Sequence, residues 1–346
     1  MGVTFKEVAE RAGVSTQTVS RVTNGSPSVA PRTRERVLAA IEELGYTPNQ
    51  GAQMLSRGKV KLLGLITLDI HLHGISLIAS SIRRHAELVD HGVSISVVSD
   101  PELELLHNAI RKLRAQSIEA MIINVPVSQE CAEQLVEHYP HLHLVFIDVP
   151  ATANVPSVCA NHFDGALAAA KHLAALDRQH FVLIAGPQHS FAASERLRAW
   201  QSALHAEQIV ATYEGDWSTE SGYLKMREHL VQGQPVDAVL VASDQMALGA
   251  LRALHEYGLS VPAAVSIVGF DNMQDSAFFQ PPLTTIEQDF QQIGQMAVKQ
   301  ALDPQPRHQE LPTHLIERKS TAKPQQGNEQ PNAQALLQQL SKLIDN

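Results

Sequence analysis

From Lys61 to about residue 320, short apolar runs alternate with longer amphipathic stretches, and this alternation constrains the fold most strongly. Apolar runs of about four to eight residues predict buried strands, and the stretches between them have helical spacing. Such alternation predicts an α/β fold in which helices cover both faces of mainly parallel sheets. The predicted strands are 62–68, 93–98, 120–125, 142–149, 180–185, 238–242 and 265–270, and the predicted helices are 76–91, 102–116, 129–138, 165–176, 195–208, 221–231 and 245–257.

The length of this region predicts two lobes. Roughly 260 residues exceed what one sheet of this kind buries around a single core. We therefore expect a core over 61–322, with a first lobe of about 61–159 plus 289–317 and a second lobe of about 160–288 plus 318–322. Ligands of such folds bind in a cleft at the carboxyl ends of the strands.

The N-terminal sixty residues differ from the core in charge. The chain has a net charge of −9, yet residues 1–60 carry +3 and all 17 histidines lie in the remainder. A basic module on an acidic body is typical of a protein that binds phosphates through one small domain. The N-terminus has no apolar signal-peptide core, and no apolar run reaches the ~20 residues of a transmembrane helix. We therefore expect a cytoplasmic protein without membrane contact.

The first 46 residues carry signals for three short helices. A capping-box pattern at Thr4–Glu7 begins the first helix, and Gly13 ends it. Ser15 can cap a second helix over 16–22, and a third helix begins with Pro31 in its first turn. Two short helices joined by a tight turn form a helix-turn-helix unit, so these 46 residues predict an all-α DNA-binding headpiece.

The second helix would present Thr16, Gln17 and Arg21 outward. Its N-terminal side chains face base edges when such a helix enters the major groove. Arginine and glutamine have the geometry for bidentate contacts with guanine and adenine. A small helical bundle with an ordinary polar face is the alternative.

The headpiece resembles the LacI/GalR family of bacterial repressors, and so does the core. The resemblance is carried by Val8–Ser15, Thr18–Val22, Asn24, Leu44–Asn49, Ala185–Pro187, Arg196–Arg198, Glu214–Ser218, Asp244–Ala250 and Pro281–Ile286. It implies a repressor whose core is periplasmic-binding-protein-like and which, as a homodimer, binds near-palindromic operator DNA. It also implies a sugar inducer that binds between the lobes and lowers operator affinity.

The resemblance implies which residues contact DNA. Residues 47–60 would form a hinge and linker, in which Gln50–Arg57 would become helical only on operator DNA. Leu55 matches the leucine that wedges into the minor groove. The expected DNA-binding residues are Thr4, Ser15, Thr16, Gln17, Thr18, Ser20, Arg21, Asn24, Arg32, Asn49, Ala52 and Leu55.

Polar side chains at predicted strand ends suit a sugar, because its hydroxyls donate and accept while its apolar face stacks on an aromatic ring. Asp and Asn are also common turn residues at strand ends, so spacing alone does not decide their role. The resemblance implies that most of them face the inducer, with Trp217 as the stacking wall, and His73 joins them by its place after the first core strand. The expected ligand-binding residues are His73, Ile78, Asn124, Asp148, Arg196, Trp217, Ser243, Asp271, Gln288 and Phe290.

Four positions depart from the family members that the chain resembles most. Thr16 replaces a tyrosine, Ala160 an aromatic residue, Ala192 a serine and Ser243 an asparagine. These differences leave the particular sugar and the particular operator open. A regulator of the same fold with a different sugar or a purine corepressor remains an alternative, although a purine would require aromatic walls on both sides of its flat base.

The C-terminal residues predict a linker and an association helix. Residues 323–331 are rich in Gln, Pro and Asn, which is typical of a flexible linker. Within 332–346, Leu336, Leu340 and Leu343 follow helical spacing and resemble the tail through which family members join two dimers into a tetramer. About two heptads is short for an isolated helix, so a frayed tail is the alternative.

An enzyme is the main competing class. The sequence contains no nucleophile elbow, Walker loop or dinucleotide fingerprint. Asp148 and Asp271 could form a glycosidase pair, but a sugar-binding protein needs carboxylates as well. His71–His73 and His141–His143 have no cysteine or carboxylate at zinc spacing. We expect no catalysis, metal or cofactor, because a hydrolase has no use for a recognition helix. The lack of a signal-peptide pattern disfavours the other alternative, a periplasmic sugar-binding protein.

Overall fold

The computed structural model describes residues 3–23, 26, 28–46, 61–68 and 72–324. Two compact units divide the chain, Met1–Lys61 and Leu62–Asn346. In the described ranges no helix has the length and apolar character needed to cross a membrane. The predicted hinge, the tail with Leu336, Leu340 and Leu343, and the predicted DNA-binding residues Asn24, Asn49, Ala52 and Leu55 lie outside the described residues.

The headpiece contains the three predicted helices, α1 (Phe5–Ala12), α2 (Thr16–Thr23) and α3 (Pro31–Leu44). The capping box is present, since the Thr4 amide donates to Glu7 Oε2 at 2.7 Å and the Glu7 amide donates to Thr4 Oγ1 at 3.4 Å. Gly13 follows α1 in the left-handed region with φ 61°, where a side chain would be strained.

A small apolar cluster holds these helices together. Val8, Val19 and Val37, one from each helix, are fully buried in it. The Arg36 side chain on α3 donates to the backbone carbonyls of Ala12 and Gly13. The turn between α1 and α2 is therefore fixed from the third helix, and the helix-turn-helix prediction is confirmed.

The core alternates strands and helices in two lobes. Its strands are β1 (Leu62–Thr67), β2 (Gly92–Val97), β3 (Ala120–Asn124), β4 (His143–Ile147), β5 (Ser157–Ala160), β6 (Phe181–Ala185), β7 (Ile209–Glu214), β8 (Ala238–Val241), β9 (Ser266–Asp271), β10 (Thr284–Gln288), β11 (His308–Leu311) and β12 (Thr313–Ile316). Its helices are α4 (His73–Leu88), α5 (Leu103–Arg114), α6 (Gln129–His138), α7 (His162–Ala175), α8 (Phe191–Ala203), α9 (Thr219–Val231), α10 (Asp244–Glu256) and α11 (Phe290–Leu302), with 3₁₀ turns at Ala206–Gln208 and Gln274–Phe278.

The first sheet has the order β11-β5-β4-β3-β1-β2 and is parallel throughout. One apolar cluster, with Leu106 and Phe146, lies under α5 and α6, while another, with Ile82 and Ile293, lies under α4 and α11. The second sheet has the order β12-β10-β9-β8-β6-β7 and is parallel except for β12, which runs antiparallel to β10. Helices cover the sheets as the alternation predicts, so the α/β two-lobed fold is confirmed.

The chain passes between the lobes at Asn161, Asp289 and Pro312. Two of these passages are bonded to each other. The Asn161 amide donates to the Leu311 carbonyl at 2.7 Å, and Thr313 Oγ1 donates to the Asn161 carbonyl at 2.9 Å. These bonds form a compact hinge between the two lobes, which is separate from the predicted hinge at residues 47–60.

The structure corrects two predictions. The segment 93–98 was expected to be a buried strand, but β2 lies at the sheet edge, where Ile95 is 49% and Val97 56% exposed. The first lobe was expected to include residues up to 317, but β12 pairs with β10 and belongs to the second sheet. The boundary therefore lies at Pro312, one residue after β11 ends.

Candidate functional site

The predicted ligand residues meet in the cleft between the lobes, at the carboxyl ends of strands. Asn124 ends β3 and Asp148 follows β4 in the first lobe, while Asp271 ends β9 in the second. Gln288 ends β10, directly before the passage at Asp289. Parallel strands bring their carboxyl ends to one edge of a sheet, which is why residues far apart in sequence converge here.

A continuous chain of polar contacts crosses the cleft. Asp148 Oδ1 lies 2.9 Å from Nε2 of His162, and Nδ1 of that imidazole lies 3.3 Å from Nη2 of Arg196. Nη1 of Arg196 lies 3.7 Å from Asp271 Oδ1, which also accepts from Gln288 Nε2 at 2.6 Å. The predicted residues Asp148, Arg196, Asp271 and Gln288 thus belong to one cluster.

Arg196 is buried between polar and aromatic partners. Its Nη1 donates to the carbonyl of Ala242, and its Cζ lies 3.7 Å from the ring centroid of Phe270 and 5.5 Å from that of Trp217. Burial lowers the pKa of the guanidinium, and the nearby carboxylates, Asp271 first, oppose this shift. These contacts occupy both Nη atoms of the guanidinium, so Nε is the donor left for a ligand.

Three of the predicted residues have strained backbones. Asp148, Trp217 and Asp271 adopt positive φ angles of 56°, 74° and 115°. Each such conformation costs on the order of 1–3 kcal/mol and persists only where the surroundings fix it, most often at binding or catalytic sites. The surroundings of these three residues therefore hold their backbones in place.

Two carboxyl groups of the second lobe are shielded from solvent, Asp244 fully and Asp271 largely. Burial raises the pKa of Asp271 to about 6, and Arg196 and the bond from Gln288 oppose the shift. Burial, followed by the charge of Asp271, raises the pKa of Asp244 to about 8. Asp244 accepts from Thr285 Oγ1 at 2.6 Å and from the Met273 amide at 2.8 Å, so it stabilises the loop after β9.

Four buried polar atoms around the cleft have no hydrogen-bond partner among the described residues. They are Thr67 Oγ1, His73 Nε2, Asn124 Nδ2 and Arg196 Nε. An unsatisfied buried polar group costs about 1–3 kcal/mol, so such groups are uncommon and require an explanation. A ligand rich in hydroxyls would supply the missing partners.

Apolar groups complete the walls. Ile78 and Phe290 are buried in the same cluster of the first lobe, and the His73 ring meets Phe290 edge-on at 6.3 Å between centroids. A cavity of about 370 Å³ is lined by Asp271, Gln288 and Phe290, among others. A larger groove of about 430 Å³ on the second lobe contains none of the predicted ligand-binding residues.

Ser243 is at the edge of this arrangement. Its Oγ accepts from the Met246 amide at 3.2 Å and caps α10, so its first role is structural. Sequence reasoning missed two residues. His162 bridges Asp148 and Arg196, and Gln245 Oε1 accepts from the His73 amide at 3.2 Å across the lobes. The only sequence signal for His162 is its place directly after Asn161 at the start of a helix.

The headpiece presents most of its predicted DNA-binding residues to solvent. Thr16, Gln17 and Arg21 are exposed on α2, while Thr18 and Ser20 are partly buried. Ser15 is exposed and caps the helix, because its Oγ accepts from the Thr18 amide at 3.2 Å. The remaining described members of the predicted set are also exposed, namely Thr4 and Arg32.

A helix-turn-helix headpiece and a two-lobed core with a polar cleft define a DNA-binding regulator controlled by a small ligand. Residues 4–49 match the model for bacterial regulatory proteins of the lacI family, and residues 170–321 match the periplasmic binding protein-like domain. The chain belongs to the LacI family, which is a family of DNA-binding regulators and not of enzymes.

Two relatives match almost the full length. The chain is 39% identical over 350 residues to the lactose operon repressor of Escherichia coli (strain K12), covering 99% of this chain and 97% of that protein. It is 40% identical to the lactose operon repressor of Klebsiella pneumoniae, with 92% of each covered. A solved structure of the lac repressor dimer bound to operator and the anti-inducer ONPF superposes with a TM-score of 0.85 at 40% identity, covering 93% of this chain and 100% of that chain.

A substitution at Gly186 tests the position of the Trp217 indole. A Cβ at this position would lie 2.3 Å from Cη2 of the indole, so we expect Gly186→Ala to displace the ring and change its fluorescence spectrum. The chain has two tryptophans, and Trp200 is buried elsewhere in the second lobe. The matched control is the same substitution in a Trp217→Phe background, where the spectrum should not change. An equal change in both backgrounds would contradict the contact.

Proposed function

We propose that this protein represses a sugar-utilisation operon and leaves its operator when a galactoside binds between the lobes. The observation that carries the proposal is that a helix-turn-helix headpiece and a cleft with unpaired polar atoms occur in one chain. The lactose operon repressors among its relatives favour a galactoside as the sugar.

The cleft has the chemistry that a pyranose requires. The carboxylates of Asp148 and Asp271 accept from hydroxyl groups, and the guanidinium of Arg196 and the amide of Asn124 donate to them. The indole of Trp217 supplies a face for the apolar side of the ring. Ser243, His73, Ile78, Gln288 and Phe290 complete the proposed ligand set.

The headpiece supplies the DNA contacts. We assign base contacts to Thr16, Gln17 and Arg21, which are exposed on α2, and the geometry of Gln17 and Arg21 suits adenine and guanine. The other exposed polar groups, Thr4, Ser15 and Arg32, would hold phosphates and fix the register. Leu55 would wedge into the minor groove at the centre of the operator.

Two symmetric headpieces suit a near-palindromic operator, so the active unit is a homodimer that acts on the bacterial nucleoid in the cytoplasm. The sugar and the operator affect each other's affinity by the same factor, because linkage is reciprocal. Such coupling amounts to about five- to 150-fold in other regulators. We expect a value in this range here.

The main test is operator binding in the presence of candidate effectors. Duplexes selected from a random pool by the purified protein supply the operator, and fluorescence anisotropy measures its affinity in titrations with galactosides, glucosides and purines. We expect a galactoside to weaken operator binding by about tenfold or more. Tightening by a purine would keep the headpiece but overturn the ligand and the direction of the switch.

Arg21→Ala provides the control for that test. The substitution removes one base contact, and we expect it to weaken operator binding by about 1–3 kcal/mol. Sugar binding by the same variant, followed by Trp217 fluorescence, should equal that of the unchanged protein. Operator affinity that did not respond to Arg21→Ala would contradict the assigned recognition helix.

Sugar binding should weaken in mild acid. Burial raises the pKa of Asp271 to about 6, so protonation below that pH replaces a charged acceptor beside Arg196 with a weaker neutral one. Near pH 5 only about one site in eleven keeps the carboxylate, and we expect affinity about tenfold below that at pH 7. Asp271→Asn should bind weakly at both pH values and lose most of the pH dependence. A wild-type affinity that is the same at pH 5 and pH 7 would contradict this role.

The C-terminal tail is proposed to join two dimers through Leu336, Leu340 and Leu343. Sedimentation velocity of the full chain and of a chain ending at residue 331 compares the two assemblies. We expect a tetramer for the full chain and a dimer for the truncated one, because the truncation removes the helix that would pack between dimers. If both chains sediment as dimers, or both as tetramers, the tail does not join two dimers.

A further inference from the structure

His162 occupies an unusual place in the fold. It is the first residue of α7 and directly follows Asn161, where the chain passes from the first sheet into the second lobe. Its side chain is buried, with the rings of Phe191 and Phe270 at 6.3 and 6.1 Å between centroids. The residue therefore lies at the hinge and at the ligand cleft simultaneously.

Its two ring nitrogens contact ligand residues of different lobes. Nε2 lies 2.9 Å from Oδ1 of Asp148, which follows β4 of the first lobe. Nδ1 lies 3.3 Å from Nη2 of Arg196, which is on α8 of the second lobe. A single imidazole thus contacts both the carboxylate of Asp148 and the guanidinium of Arg196. We assign these two groups to the same sugar, as its acceptor and its donor.

The partners determine the proton positions on the ring. A guanidinium only donates, so Nδ1 of His162 has to accept and carries no proton. Nε2 then carries the proton and donates to the carboxylate of Asp148. The ring acts as a neutral bridge with one tautomer, oriented by the opposite charges of Asp148 and Arg196 at its two ends.

We propose that His162 is a positioning residue that couples the sugar-binding groups of the two lobes and links them to the hinge at Asn161. This inference rests on the proposed function, since it assigns a role within the sugar site. The coupling depends on one donor and one acceptor about 2 Å apart on the ring and not on a positive charge. A side chain with the same donor and acceptor should therefore replace His162.

The test compares His162→Gln with His162→Leu. The glutamine amide offers a donor for Asp148 and an acceptor for Arg196, whereas leucine fills part of the space without either. We expect His162→Leu to weaken galactoside binding by about tenfold or more, and His162→Gln to stay within about threefold of the unchanged protein. His172→Gln, on the same helix and bonded to Thr321 away from the cleft, is the matched control and should leave affinity unchanged.

A double-mutant cycle identifies the partner through which His162 acts. If the ring positions Asp148, then Asp148→Asn combined with His162→Leu should lose much less affinity than the product of the two single losses. Thermal unfolding of each variant measures the structural effect of the substitution separately. A positioning role predicts that galactoside affinity falls in His162→Leu and returns in His162→Gln by more than any change in unfolding temperature accounts for.

The outcomes separate the two proposals. Equal losses in the Gln and Leu variants, or no loss in either, would overturn the role of His162 while galactoside binding by the unchanged protein stood. Absence of any sugar binding by the unchanged protein would overturn the proposed function itself, and the role of His162 with it.

Discussion

The buried guanidinium of Arg196 is the group on which the rest of the cleft depends. Removing an isolated cation from water costs roughly several kcal/mol unless nearby groups compensate the charge. Here the compensation comes from the carbonyl of Ala242, the carboxylate of Asp271 and the ring face of Phe270. Each partner lies at or near the end of a neighbouring strand, so the position of the cation requires the order of the second sheet. The cluster leaves Arg196 Nε unpaired among the described residues, which keeps one donor for a ligand.

Much of the fold was predictable because local signals and long-range packing agree. The capping box at Thr4, the turn at Gly13 and the proline at the start of α3 lie where their chemistry indicates. The sequence did not predict five strands, β5, β7, β10, β11 and β12, and most of these are short or polar. Strand β11 reads His-Gln-Glu-Leu, with no alternation of apolar side chains. Its pairing with β5 is a tertiary contact that no local pattern encodes.

The candidate site, like the fold, was predictable where local patterns mark a residue and unpredictable where only tertiary contacts do. Strand-end positions made Asn124, Asp148 and Asp271 candidates, and the resemblance implied their role and added the apolar and aromatic side chains. His162 could not be found in this way, because its role depends on a 2.9 Å contact with one lobe and a 3.3 Å contact with the other. Ser243 illustrates the reverse case, since a hydroxyl at a strand end also caps the following helix. Only the three-dimensional arrangement separates these roles.

The link at Pro312 has a mechanical consequence. One residue separates β11 from β12, and these strands form an edge of the first and of the second sheet respectively. So short a tether lets the lobes rotate but keeps this edge almost stationary, and the axis of any closure has to pass close to it. Displacement then grows with distance from that pivot, and β2 and β7, at the opposite edges, have the longest lever arms. A small rotation about Pro312 is therefore converted into its largest movement at the two edges farthest from the hinge.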